Sequence, residues 1–173
     1  MFAFICVAVF AIFLDQVTKW LAVIFLEGNP PVPVIEWFIR FSYVENTGAA
    51  WGMFGKPDQR WIFMTLSSVA IVAILLYVFI AKPKDPLLKY SLALIAAGGI
   101  GNMIDRVLLG YVVDFLEFTF IDFPVFNVAD SFVCIGAAML ILYLIIDTVK
   151  EYKNGKHKAD TSGSNGDGGG DEA

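Results

Sequence analysis

Between Arg60 and Lys82 the chain runs for about 21 residues, WIFMTLSSVAIVAILLYVFIA, without a charge. A helix needs about 20 such residues to cross the hydrocarbon of a bilayer, where every backbone polar group has to be satisfied within the segment itself. The stretch therefore reads as a transmembrane helix and commits the chain to a membrane. Three further apolar runs accompany it: Phe2 to Leu26, interrupted by Asp15 and Lys19; Tyr90 to Ile104; and Ser131 to Ile146. Four spanning helices account for a chain of 173 residues that is 58% hydrophobic and 17% charged, too apolar for an ordinary soluble domain.

Lysines set the expected orientation. Lys82, Lys84 and Lys89 fill the connection between the second and third spans, and Lys150, Lys153, Lys156 and Lys158 follow the fourth, so both segments are expected on the cytoplasmic side. Both termini then lie in the cytoplasm, and the segments Glu27 to Arg60 and Asp105 to Asp130 face outward. The first apolar run has no basic segment before it and no small-residue cleavage site before Asp15, so it is expected to remain as the first helix rather than serve as a cleavable leader. One domain, residues 1–150, is expected to hold all four helices. Residues 151–173, rich in glycine and acidic groups, are expected to form a disordered cytoplasmic tail. Cys6 and Cys134 fall within apolar runs and read as small packing residues, not as a disulfide or metal pair.

The outer segment after the first helix, about residues 28–58, contains PVPVIEWFIRFSYVEN, whose Val, Ile, Phe, Trp and Tyr content predicts strands. The expected fold is thus mainly α, with four transmembrane helices and a small extracytoplasmic β-sheet at the membrane surface. Trp37, Phe38, Phe41 and Tyr43 suit the interfacial layer, as anchors or as substrate contacts.

Ionisable groups at membrane depth are costly enough to mark function. The single histidine, His157, lies in the lysine-rich end of the chain, which removes His-dependent zinc, serine and cysteine chemistries from consideration. Carboxylate chemistry remains. Two carboxylic acids sharing one proton can hydrolyse a peptide bond, the ionised one taking a proton from water while the other donates to the scissile carbonyl. The outer-side candidates are Asp15, Asp105, Asp114, Glu117, Asp122 and Asp130. Asn102, Asp105 and Arg106 share a helix face at i, i+3 and i+4, so Asp105 is expected to be held by Arg106 or its neighbours. Asp114 lies past Gly110, which argues against a continuous helix from Asp105 and separates the two aspartates. Asn127 and Asp130 have the spacing of a helix cap with an acid in its first turn, a layout compatible with a catalytic Asp130. Asp15 and Lys19, at i and i+4, read as an intramembrane ion pair. ENTGAAWG, with Asn46 and Gly48, suggests close backbone approach or a tight turn.

Taken together, DQVTKW (Asp15 to Trp20), NTGAAWG (Asn46 to Gly52), GNMIDR (Gly101 to Arg106), VVDF (Val112 to Phe115) and FNVADS (ending at Ser131) resemble the lipoprotein signal peptidase, or type II signal peptidase, family, in the family's order. The resemblance implies an intramembrane aspartyl endopeptidase that removes the signal peptide of a prolipoprotein by cutting before a diacylglyceryl-modified cysteine. It places the catalytic aspartates on Asp114 and Asp130, with Asp15, Lys19, Asn46, Gly48, Asn102, Asp105, Arg106 and Asn127 binding substrate or supporting the site. It further implies a multi-pass protein of the bacterial inner membrane, acting as a monomer on lipid-modified prolipoproteins and in contact with membrane lipid, with no cofactor, metal or nucleic acid. The alternative from a different class is a small transporter or proton channel using the outer-side carboxylates as a relay.

Overall fold

The structure, a computed structural model, describes residues 2–47 and 60–164, with side chains over 2–47 and 64–153. Its elements follow in the order α1 (Phe2–Leu26), β1 (Val32–Ile35), β2 (Ile39–Asn46), α2 (Arg60–Ala81), α3 (Pro86–Leu108), β3 (Val112–Phe118) and α4 (Val128–Ser164). All four helices contain a stretch long and apolar enough to span a bilayer.

Local chemistry fixes both ends of α3. At the start of α3, the Asp85 carboxylate accepts the backbone N–H groups of Leu87 and Leu88 at 2.8 and 3.3 Å, with Pro86 in the first turn. These are donors that a helix start leaves unpaired, and proline needs no such partner. At the other end α3 stops at Leu108, and Gly110 adopts φ +86, a left-handed conformation open to a residue without Cβ. The chain reverses there and enters β3. The sheet is antiparallel in the order β1-β2-β3, with Arg40 opposite Glu117, Val44 opposite Asp114 and Asn46 opposite Val112.

Small residues let the helices approach closely. Ala8, Ala11, Ala93, Ala96 and Ala97 form the inner core of the bundle with Phe4, Val78, Leu88 and Leu92. A Cβ added at Gly98 would meet the carbonyl oxygen of Ala129 and, at 2.6 Å, Val133 Cγ2, so α3 and α4 are nearly in backbone contact. Large apolar side chains instead face outward, among them Phe10, Leu76, Ile80 and Ile141, as a bilayer requires. A second core, built from Ala22, Leu26, Val113 and Phe115, seats the sheet on the end of α1.

Two expectations are corrected. Helix α4 continues to Ser164 instead of giving way to a tail at residue 151; the Lys- and Glu-containing segment after Asp147 favours helix, and its glycines, Gly155 and Gly163, each cost only about 1 kcal/mol. Cys6 and Cys134 are free thiols on the exposed outer faces of α1 and α4, not packing residues. The segment Val112–Phe118, valued in the sequence for its aspartate, is the third strand of the sheet.

Candidate active site

The polar groups of the spanning helices converge on the end of the bundle that carries the sheet. Lys19 is the hub. Its Nζ lies 3.0 Å from Asp15 Oδ2 and 2.9 Å from Asp105 Oδ2, and donates to Asn102 Oδ1 at 2.8 Å. All four side chains are buried. The Asp15–Lys19 pair expected from the sequence is thus present, enlarged by Asp105 from α3.

Asp105 is held, but not by Arg106. Its partners are Lys19, the Gln16 amide at 3.0 Å and the backbone N–H of Val113 at 3.1 Å. The Arg106 guanidinium donates instead to the carbonyl oxygen of Asn102 at 3.4 Å, and from there its charge interacts with Asp130, Asp114 and Asp105. Shared-face spacing brings residues to one side of a helix but does not rank partners arriving from another helix. Asp105 so ties α3 to β3, while Asp15, by accepting the Ala129 N–H at 2.9 Å, ties α1 to the first turn of α4. Gln16, which the sequence reasoning passed over, also donates to Asp15 at 3.1 Å and to the carbonyl of Gly101 at 3.2 Å; its position beside Asp15 in DQVTK was the available signal.

Two asparagines carry this framework to Asp114 and Asp130. Asn102 Oδ1 accepts from Lys19 and from Asn127 Nδ2 (3.0 Å), which leaves its amide nitrogen to donate to Asp130 Oδ1 at 2.7 Å. Asn127 is the N-cap of α4: its Oδ1 accepts the Asp130 N–H at 2.9 Å, and Asp130 Oδ2 accepts the Asn127 N–H at 3.3 Å. The cap expected from the sequence is therefore formed, and Asp130 Oδ1 remains directed into the site. Asn127 Nδ2 also donates to Asp114 Oδ1 at 2.6 Å, while Asn46 Nδ2 donates to Asp114 Oδ2 at 2.8 Å. Asp114 and Asp130 are thus brought to one place from a strand and a helix start, through a common asparagine. Gly48 lies outside the described residues.

Asp114 is almost wholly buried. Burial pushes its carboxyl up to about 6, the charge of Asp130 adds to the rise, and the donors Asn46 and Asn127 together with the Lys19 charge oppose it. A raised carboxyl beside a second carboxylate is the arrangement in which one proton is shared by two acids. An apolar cavity of about 260 Å³ lies between α1 and the sheet, with Leu21, Phe25, Phe41 and Phe115 in its wall.

Residues 7–146 match the family described as Signal peptidase (SPase) II. The "Lipoprotein signal peptidase" of Caldanaerobacter subterraneus subsp. tengcongensis is 47% identical over 143 residues, covering 82% of this chain and 94% of that protein. The one from Symbiobacterium thermophilum is 42% identical over 144 residues, covering 82% and 93%. Two solved structures of bacterial membrane enzymes, both obtained by the in meso method, share the fold. The one at 2.3 Å resolution has a TM-score of 0.74 and 33% identity over 86% of this chain and 90% of that one. For the one at 1.9 Å the values are 0.75 and 32%, over 83% and 93%.

Proposed function

The chain belongs to the signal peptidase II family, aspartic proteases of the bacterial inner membrane that process prolipoproteins, and from that premise we infer that Asp114 and Asp130 are its catalytic pair. The observation that carries this assignment is the Asn127 side chain, which caps Asp130's backbone and donates to Asp114, holding two carboxylates from different elements at one site. Asp15 and Asp105 are committed to Lys19 and to backbone N–H groups, so neither is available as a base.

Hydrolysis then runs on one shared proton. The ionised carboxylate removes a proton from a water whose oxygen attacks the scissile carbonyl carbon, and the protonated one donates to the carbonyl oxygen. In the tetrahedral diol that results, one hydroxyl returns its proton to the pair as the carbonyl re-forms. The C–N bond breaks and the departing nitrogen takes a proton, leaving the pair with one proton as at the start. The substrate is an apolar signal helix whose bond precedes a diacylglyceryl cysteine, and the cavity between α1 and the sheet offers an apolar wall at the same end of the bundle. The lysines at the opposite end of the bundle favour a cytoplasmic location for both termini and an active site near the outer face.

Purified protein incubated with a diacylglyceryl-modified prolipoprotein tests the assignment. Asp114→Asn and Asp130→Asn are each expected to abolish cleavage while the variants still fold; full activity in either overturns it. Equal cleavage of lipidated and unlipidated substrate contradicts the lipid requirement.

A further inference from the structure

At the end of the bundle away from Asp114 and Asp130, the start of α1, the end of α2 and the start of α3 enclose a second cavity of about 380 Å³, lined by Phe4, Val78, Phe79, Lys82, Pro83 and Lys89. Its floor is apolar, since Phe4 and Val78 belong to the bundle core. Its rim is cationic. Lys82 directly follows α2, Lys89 stands in the first turn of α3, and Lys84 lies in the short connection between them. Lys82 ends its helix with φ +47, a left-handed conformation in which glycine or asparagine is usual and other side chains are strained. The backbone thus tolerates a cost at the position that places an ammonium group on the cavity.

Among the described residues, the ion pairs involve only Lys19 and Arg40 as cations, so neither rim lysine has a carboxylate partner. Asp85, the nearest acid in sequence, spends its carboxylate on the cap of α3. We propose that this cavity binds an anionic phospholipid, with its phosphate between Lys82 and Lys89 and the upper part of an acyl chain against Phe4, Val78, Phe79 and Pro83. The depth fits: the spans end at Ala81 and begin again at Pro86, which puts both lysines at the hydrocarbon boundary where lipid phosphates lie. Free phosphate gains nothing from the apolar wall. A zwitterionic headgroup brings its own cation beside the two lysines. Anionic lipid is available to either end of the bundle, so the site is independent of the orientation assigned above and of the peptidase mechanism.

Native mass spectrometry of the full chain released from micelles, with phosphatidylglycerol or phosphatidylcholine of identical acyl chains added, reads the site directly. Two lysines predict a preference of roughly tenfold or more for phosphatidylglycerol. Lys82→Gln/Lys89→Gln should lose that preference, Lys150→Gln/Lys153→Gln should keep it, and millimolar inorganic phosphate should not displace the lipid. Equal retention of the two lipids, a preference that survives in the first variant or disappears from both, or displacement by phosphate overturns the proposal. Acetylation of the unaltered protein gives a readout that requires no variant. Phosphatidylglycerol should protect Lys82 and Lys89 relative to Lys150, and labelling that is the same with either lipid refutes the site.

Discussion

Lys19→Met isolates the framework from the chemistry. The side chain is buried and serves three acceptors at once, Asp15, Asp105 and Asn102, at 3.0, 2.9 and 2.8 Å. Removing it strands two buried carboxylates, and loss of one partner from a buried ion pair costs about 3–5 kcal/mol because the remaining charge is left uncompensated. The other donors soften the loss: Asp15 keeps Gln16 and the Ala129 N–H, and Asp105 keeps Gln16 and the Val113 N–H. A destabilisation of about 3 kcal/mol or more is expected, read as a lowered thermal unfolding midpoint in micelles. Lys19→Met/Asp15→Asn should recover part of it, because one of the stranded charges is gone. Activity should fall further than stability alone explains. An ammonium group only donates, so Lys19 helps oblige Asn102 to present its oxygen inward and its amide to Asp130; without it that orientation rests on the Asn127 amide alone. A Lys19→Met protein that unfolds within about 1 kcal/mol of the parent, a size ordinary for surface changes, would refute this account of the hub.

The helix contacts give a ranked series. Gly98→Ala drives a Cβ against the Ala129 carbonyl, which is backbone, and Gly101→Ala places one 2.5 Å from Asp15 Oδ2, whereas Gly99→Ala meets only the Ile71 side chain at 3.1 Å. The first two are expected to cost about 1–3 kcal/mol and Gly99→Ala less, with Gly101→Ala also reducing cleavage through Asp15; equal midpoints for all three would contradict the packing. The Asp114 carboxyl, raised to about 6, keeps its proton below that pH and loses it above, when the pair becomes doubly ionised and has no proton for the scissile carbonyl. Hence kcat/KM, which reports the free enzyme, is expected to fall on the alkaline side with a midpoint near 6, and a profile flat from about pH 5 to 9 would exclude the shared proton. Arg40 and Glu117 form a partly exposed cross-strand pair, so Arg40→Ala should lower the unfolding midpoint only slightly, and less at high salt; a large drop in thermal scans would show that the pair organises the sheet.

The four spans were legible because a bilayer demands long uncharged runs, and the Asn127–Asp130 cap because its spacing is set within one helical turn. The partners of Asp105 were not. Lys19 and Gln16 come from a helix some eighty residues earlier in the chain, as the separation of 89 between Gln16 and Asp105 shows, and nothing local to GNMIDR encodes them. Strand β3 was hidden for a related reason. Seven residues, VVDFLEF, buried at the start and half-buried at the end, give no alternation to read; their strand character depends on β2 being alongside. Gly110 did announce the break between Asp105 and Asp114, and its positive φ is what lets the chain turn there.

Amide side chains, not cations, touch the two carboxylates proposed for catalysis. Asn46 and Asn127 donate to Asp114, and Asn102 donates to Asp130. An ammonium or guanidinium in direct contact would hold both groups ionised and abolish the shared proton. Neutral donors fix the position of a carboxylate at a smaller bias toward its charged form. Arg106, part-buried, acts on both aspartates through its charge, while the fully buried Lys19 stands a residue further back, with Asn102 between it and Asp130, and its charge is a weaker influence on Asp114 than burial is. Asp15 and Asp105 neutralise that cation. Removing either should therefore disturb more than stability, since it would expose the proposed catalytic pair to a less compensated positive charge and move its proton loss to lower pH.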